Sequence, residues 1–159
     1  MPRKGPVKQR NVNPDPVYKN RLVAKLIGRV MHDGKKDVAQ SQIYKALEVV
    51  KEKTGEDPIK IFSQALANIK PNTEVRPRRV GGAAYQIPVP VRGGRKESLA
   101  IRWLIFATLA RSGSEYRSFS AKLAAELMDA AKGEGGAVKK RQEIERIAEA
   151  NRAFSHFRW

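Results

Sequence analysis

Leu22, Val23, Leu26, Ile27 and Val30 fall on one face of a helix, and the turn signal Asp33-Gly34 closes it. Ala39, Ile43, Ala46, Leu47 and Val50 repeat that spacing up to Gly55. Asp57-Pro58 then supplies an N-cap and a proline at the first helical position, where the missing N–H would have had no helical partner. The third helix it opens turns Phe62, Ala65, Leu66 and Ile69 inward and stops at Pro71. Further on, ESLAIRWLIFATLA (97–110) is apolar around most of its circumference. Leu99, Trp103, Phe106, Ala107 and Ala110 make one stripe, Ile101, Leu104 and Ile105 broaden it, and the pattern predicts the central helix of a bundle. Phe119, Leu123, Leu127, Met128 and Ala131 mark a fifth helix ending near Gly133. GEGG (133–136) reads as a flexible joint, and a sixth helix follows from about Ala137 to Ala153 with Ile144, Ile147 and Ala148 inward.

Between the third and fourth helices the period changes from 3.6 to 2. Tyr85, Ile87, Val89 and Val91 alternate after Gly81-Gly82, which predicts a β-hairpin over residues 72–91. Prolines at 77, 88 and 90 exclude a central strand, because proline cannot donate to the ladder. The ribbon therefore stands alone. Its apolar side, Val80, Tyr85, Ile87 and Val89, anchors the base on the helices, and Gly81, Gly82, Ala83 and Ala84 leave a slim tip. The fold class that results is mainly α: a single domain over residues 1–159, a six-helix bundle with one protruding hairpin and a basic N-terminal arm.

Charge changes the picture most. The chain carries 32 Lys and Arg against 16 Asp and Glu in 159 residues, a net charge of +16. Self-repulsion on that scale opposes compaction, and a polyanionic partner is the simplest reason to keep it. The cations fall into patches. Arg3, Lys4, Lys8 and Arg10 lie in an arm, residues 1–18, too poor in apolar content to order on its own. Lys25 follows on the first helix with Lys19 and Arg21 nearby, and Lys35-Lys36 lie beyond it. Arg76, Arg78 and Arg79 stand on the hairpin, where forked guanidinium donors match phosphate oxygens. Arg92, Arg95, Lys96 and Arg102 come next, in and after a turn RGGRK. Lys139, Lys140 and Arg141 open the last helix, against its macrodipole, which points to an anion outside. Lys35-Lys36 read equally as a solvated turn, and Arg102 as a side chain laid along its helix.

Other chemistry is thin. There is no cysteine, hence no disulfide, thiolate nucleophile or Cys-based zinc site. His32 and His156 lack metal-ligand spacing, and GGRK lacks the phosphate-loop pattern. Glu143, Glu145 and Glu149 read as a solvated helix face that balances Lys139, Lys140 and Arg141. No enzyme, cofactor, metal or small-molecule substrate is expected. No apolar run reaches the ~20 residues of a membrane span, so a soluble intracellular protein is expected. In the C-terminal helix and tail, 137–159, aromatics and cations interleave at Phe154, His156, Phe157, Arg158 and Trp159. Trp159 is the candidate for stacking on a base; Phe154 and Phe157 either stack or fold back, and Tyr85 either stacks or packs the hairpin. A histone-like DNA binder with the hairpin in a minor groove is the alternative class, and scattered carboxylates leave a nuclease as a remote one.

RPRRVGGAAYQIPVPV (76–91), PDPVY (14–18), DGKK (33–36), ESLAIRWL (97–104), LMDAAKGEGGAVKKR (127–141) and the ending AVKKRQEIERIAEANRAFSHFRW are similar, in order, to the seventh-family protein of the bacterial small ribosomal subunit. The resemblance spans essentially the whole chain. Ala84 stands where family members often have Asn or Thr, and residues 110–120 match poorly, so no contact is carried over from them. The resemblance implies a cytoplasmic ribosomal protein that binds 16S rRNA as a primary binder on the 3′ major domain and nucleates assembly of the subunit head. It further implies that the hairpin, with Arg79, Val80, Gly81, Gly82, Ala83, Ala84 and Tyr85, lies at the subunit interface near exit-site tRNA. The tail is implied to lie near the mRNA path, with the ninth- and eleventh-family small-subunit proteins as neighbours. Some members repress their own operon mRNA.

Overall fold

The computed structural model describes Gly5 and residues 11–157. Arg3, Lys4, Lys8, Arg10 and Trp159 lie outside the described residues, as does the side chain of Val80. Six α-helices, a two-stranded antiparallel ribbon and a closing 3-10 helix follow one another as α1 (Arg21–Val30), α2 (Lys36–Thr54), α3 (Pro58–Ile69), β1 (Thr73–Val80), β2 (Ala83–Pro90), α4 (Gly93–Ala110), α5 (Phe119–Ala131), α6 (Gly136–Ala150) and Arg152–Phe157. Among the described residues no helix is long and apolar enough to cross a membrane.

The expected cap at Asp57 forms, and two more start helices at Asn20 and Ser118. The Asn20 side chain accepts from the Leu22 N–H, Asp57 from the Ile59 N–H ahead of Pro58, and Ser118 from the Ala121 N–H. Each satisfies one of the four orphan donors at a helix start. Inward positions of α1, α2 and α3 are those the periodicity names: Val23, Leu26, Ile27, Ile43, Leu47, Val50, Phe62, Leu66 and Ile69 are all buried. Each large side chain removed from water here contributes roughly 1.5–3 kcal/mol before entropy is counted.

Three expectations need correction. First, α4 packs against α1, α3, α5 and α6 as a central helix would, but it is not buried all round, and α5 is the more deeply buried of the two. α5 packs against α2, α3, α4 and α6 and buries Leu123, Ala124, Ala125, Glu126, Leu127 and Ala130. α4 buries Leu99, Ala100, Ile101, Leu104, Ala107 and Thr108, while Phe106 is 67% exposed and Ala110 is exposed. An apolar circumference was a poor guide because part of it faces solvent. Second, RGGRK is no turn: α4 begins at Gly93, so Arg95 and Lys96 sit in its first helical turn. Third, GEGG is a packed corner. A Cβ on Gly135, which has φ +94°, would sit 3.0 Å from Glu126 Oε1, and one on Gly136 3.1 Å from Ala107 Cβ. Only glycine lets α6 start this close to α4 and α5.

Glu126 explains that corner. It is 1% exposed, accepts the Ala137 N–H on Oε1 at 2.8 Å and Arg111 Nε on Oε2 at 2.7 Å. Arg111 also pairs with Asp129, and Lys122 Nζ donates to the Arg111 carbonyl at 2.6 Å. A buried carboxylate thus sits at the positive end of the α6 dipole.

The stretch 11–20 also closes on the body. Asp15 is 3% exposed, accepts the Val17 and Tyr18 N–H groups, and receives the Tyr44 hydroxyl at 2.8 Å. Burial, then the bond to Asp15, raises the Tyr44 phenol above its ordinary value. Residues 15–18 are a tethered turn that hands the chain to α1.

The ribbon pairs Thr73 with Pro90 through Val80 with Ala83. Gly81 and Gly82 both have positive φ, +58° and +91°, as a two-residue hairpin turn with the ribbon's twist demands. Ile87 and Val91 are buried at its root, whereas residues 76–79 and 81–84 are exposed. No further strand joins it among the described residues. α6 packs against both strands, and the 3-10 helix packs against β2.

Candidate nucleic-acid interface

The hairpin root and the start of α4 are tied by one carboxylate. Glu74, 6% exposed, accepts Arg95 Nε at 2.9 Å and Arg76 Nε at 2.6 Å. Burial alone would push the Glu74 carboxyl up, but the hydrogen bonds from Arg95 and Arg76 outweigh it and hold the group below the usual carboxylate range. A depressed folded-state pKa stabilises above the unfolded value and loses that contribution as pH falls through the folded one. Glu74→Gln should therefore flatten part of the loss of stability between about pH 5 and 3, by on the order of 1 kcal/mol. Urea unfolding of both proteins across that range checks it; parallel curves would contradict it.

From this root a cationic track follows α4. Arg92 is exposed at the N-cap, Lys96 Nζ donates to Asn72 Oδ1 at 2.9 Å, and Arg102 stands seven residues, two turns, beyond Arg95. Arg102 reaches a groove of roughly 420 Å³ between α4 and α1, where it meets Lys25 and Arg29. Lys25 pairs there with Glu97 at the groove's edge. No carboxylate lines the groove itself, and Gly28 and Ser98 keep it open. Arg29 escaped the sequence reading. Its signal was available: it follows Lys25 by four residues, one helical turn on the same face.

Other candidates do not join this track. Lys35 and Lys36 are exposed at the start of α2, Lys35 beside Val38 and Leu109. Arg78 and Arg79 are exposed on β1, opposite Tyr85 and Ala84. On α6, Lys140 pairs with Glu143 at 2.8 Å and Arg141 lies 3.5 Å from Glu145. The dipole argument for an outside anion at Lys139, Lys140 and Arg141 loses its force, because Glu126 already answers that helix end from within. Those pairs bear out Glu143 and Glu145 as carboxylates that balance the KKR cations; Glu149 pairs instead with Arg152.

The tail settles onto the hairpin. Tyr85 lies 5.0 Å from Phe154 and 5.9 Å from Phe157, ring centroid to centroid, and His156 lies tilted against Phe157 at 4.0 Å. Phe154 and Phe157 fold back, but onto Tyr85 of the ribbon rather than onto the helical core, and Tyr85 packs these tail rings rather than the hairpin base. Aromatic contacts of this kind are worth ~0.5–1.5 kcal/mol beyond the area they bury. Phe154→Ala should speed amide exchange along β2 by about three- to tenfold while leaving α2 and α5 unchanged. Unaltered β2 exchange would mean α6 alone holds the ribbon.

Among the described residues, a helical body with a track of guanidinium and ammonium groups and a stiff ribbon presents a surface suited to a polyanion. A model of the family described as Ribosomal protein S7p/S5e matches residues 2–152. Relatives called "Small ribosomal subunit protein uS7" align over 159 residues, the full length of both chains: 57% identical in Caldicellulosiruptor saccharolyticus, 57% in Nitratidesulfovibrio vulgaris and 55% in Carboxydothermus hydrogenoformans. The chain belongs to the ribosomal protein S7p/S5e family. It is a structural, non-enzymatic protein of the small ribosomal subunit, and its place is the ribosome in the cytoplasm.

Proposed function

We propose that this chain is a primary binder of 16S rRNA, docking on the 3′ major domain and nucleating assembly of the subunit head. The observation that carries the reading is the track from Arg95 to Arg102 into the Lys25–Arg29–Arg102 groove, where three cations stand against a single carboxylate, Glu97, at the edge. RNA junctions are recognised mainly by backbone and shape, which a rigid array of cations suits. The arm cations Arg3, Lys4, Lys8 and Arg10 extend the contact, and Lys35 and Lys36 add peripheral ones. The ribbon tip, with Arg78, Arg79 and Gly81 to Ala84, serves the subunit interface near exit-site tRNA. The tail, ending in Trp159, lies toward the mRNA path, and the ninth- and eleventh-family proteins are neighbours.

Protection mapping on 16S rRNA tests this. Ile87 and Val91 are buried, so the ribbon should be shortened rather than removed. Deleting Arg79, Val80, Ala83 and Ala84 keeps the Gly81-Gly82 turn and closes it across the Arg78–Tyr85 pair, preserving the facing of every remaining side chain. The expected footprint on the 3′ major domain is unchanged, while exit-site tRNA retention in assembled subunits falls. Loss of the footprint would show that the tip, not the helical track, docks the RNA.

A further inference from the structure

Exposed apolar side chains gather on one side of the body. Among the described residues five large hydrophobics are exposed, and three of them, Val38 (61%), Phe106 (67%) and Leu109 (60%), belong to one region. Phe106 and Leu109 are three residues apart on α4 and so adjacent on its surface. Leu109 shares a hollow with Val38 at the start of α2. On its other flank Phe106 borders, with Trp103, an open cleft of roughly 940 Å³ between α4 and α6. Scattered exposed hydrophobics need no explanation, but a contiguous ridge beside a cleft marks an interaction surface.

The charges around the cleft choose the partner. Glu126, Asp129, Glu134 and Glu143 line it against Arg111, Lys139 and Lys140, a local balance of 4 − 3 = 1 in favour of carboxylate. On a chain of net charge +16 that is the opposite of the α1–α4 groove, which is lined by Lys25, Arg29 and Arg102 without a carboxylate. A nucleic acid finds little to hold here. A second copy of so cationic a chain is repelled. A segment of another protein that is apolar and itself basic meets both halves of the surface. Its apolar side chain covers Phe106 and Leu109, and its Lys or Arg faces Asp129, Glu134 and Glu143. Asp129 and Glu143 remain 41% and 46% exposed beside their existing partners and can accept more than one donor. An arginine there also gains the face of Phe106 or Trp103.

We propose that the Phe106–Leu109 ridge and the adjoining α4–α6 cleft form the docking site for an apolar, cationic segment of a neighbouring small-subunit protein. The inference rests on the chain's membership of the small subunit and adds a protein-facing surface to the RNA-facing one. Photocross-linking tests it. The full-length chain with p-benzoylphenylalanine at position 106, and separately at position 102, is assembled into small subunits and irradiated. From position 106 the expected product is a protein–protein adduct that survives ribonuclease, with Lys or Arg next to an apolar residue in the captured peptide. An adduct to rRNA, an adduct to a second copy, or no adduct from subunits carrying the variant would overturn the proposal. Position 102 reports on the RNA track independently, so rRNA capture there with failure at 106 leaves the proposed function standing, and the reverse result sinks only that function. As a second measurement, the double change Phe106→Ser with Leu109→Ser should weaken retention of the captured protein by about tenfold or more with an unchanged 16S footprint. Unchanged retention would contradict the site.

Discussion

Glu126→Ala should lower the unfolding free energy by about 3–5 kcal/mol, the largest stability effect of any single polar substitution in the described body. Removing the carboxylate strands two groups at once. Arg111, only 17% exposed at its side chain, keeps Asp129 but loses the partner on its buried side. The Ala137 N–H, buried at the start of α6, loses its acceptor. Gly135 and Gly136, which exist to admit that carboxylate and the close approach of α4, are left around a void. For a domain of this length the loss corresponds to a fall in Tm on the order of 10 °C. Glu126→Gln should cost less, since an amide oxygen still accepts from Ala137 while the ion pair is gone. Denaturant unfolding followed by helix content measures both; a loss under about 1 kcal/mol for the alanine variant would mean that the α4–α5–α6 corner is held by apolar packing alone.

Affinity for 16S rRNA should fall by about three to four decades between 50 and 200 mM salt, if about eight cations each meet a phosphate. The track gives this number a residue-level consequence. Arg29→Ala and Arg102→Ala should each weaken binding across RNA sequences alike and reduce the magnitude of the salt slope by about 1. Lys25→Ala should do less, because Glu97 already neutralises part of that charge. Lys140→Ala should do little for the same reason, given its pair with Glu143. Equal effects at Arg102 and Lys140 would contradict the separation of an RNA-facing groove from the mixed-charge α6 side.

Much of the architecture was written plainly in the chain. Asp57 caps its helix through a short-range hydrogen bond, and Gly81-Gly82 sets the ribbon's turn, so local chemistry alone located those two ends; Asn20 and Ser118 cap by the same chemistry but were not singled out. The failures share a different cause. Phe106 fits the helical stripe as well as Leu104 does, and only the placement of α5 decides that one is buried and the other exposed. Glu126, between Ala125 and Leu127, shows no partner in its own helix turn, and Arg111 and the α6 N-terminus converge on it from 15 and 11 positions away. Glycines at 133–136 suggest looseness by composition, yet Gly135 and Gly136 permit close contact.

The site was legible as charge but not as grouping. Counting cations singled out Lys25, Arg95 and Arg102, whereas their alignment along α4 and the addition of Arg29 needed the α1–α4 packing. Carboxylates that silence or share those cations, Glu74, Glu97, Glu143 and Glu145, come from other elements or from the next helical turn. A linear charge tally weighs every lysine alike. The aromatic tail shows the same limit: Phe154 and Phe157 could be read as bases' partners until Tyr85 was found beneath them.

The most direct measurement is competition at fixed salt: labelled protein bound to the 3′ major domain of 16S rRNA, titrated with B-form duplex DNA of equal phosphate content. An interface built for folded RNA predicts that duplex DNA displaces the protein only at large molar excess. Displacement at comparable concentration would mean that the cationic track answers to phosphate density alone, and the central claim would fail.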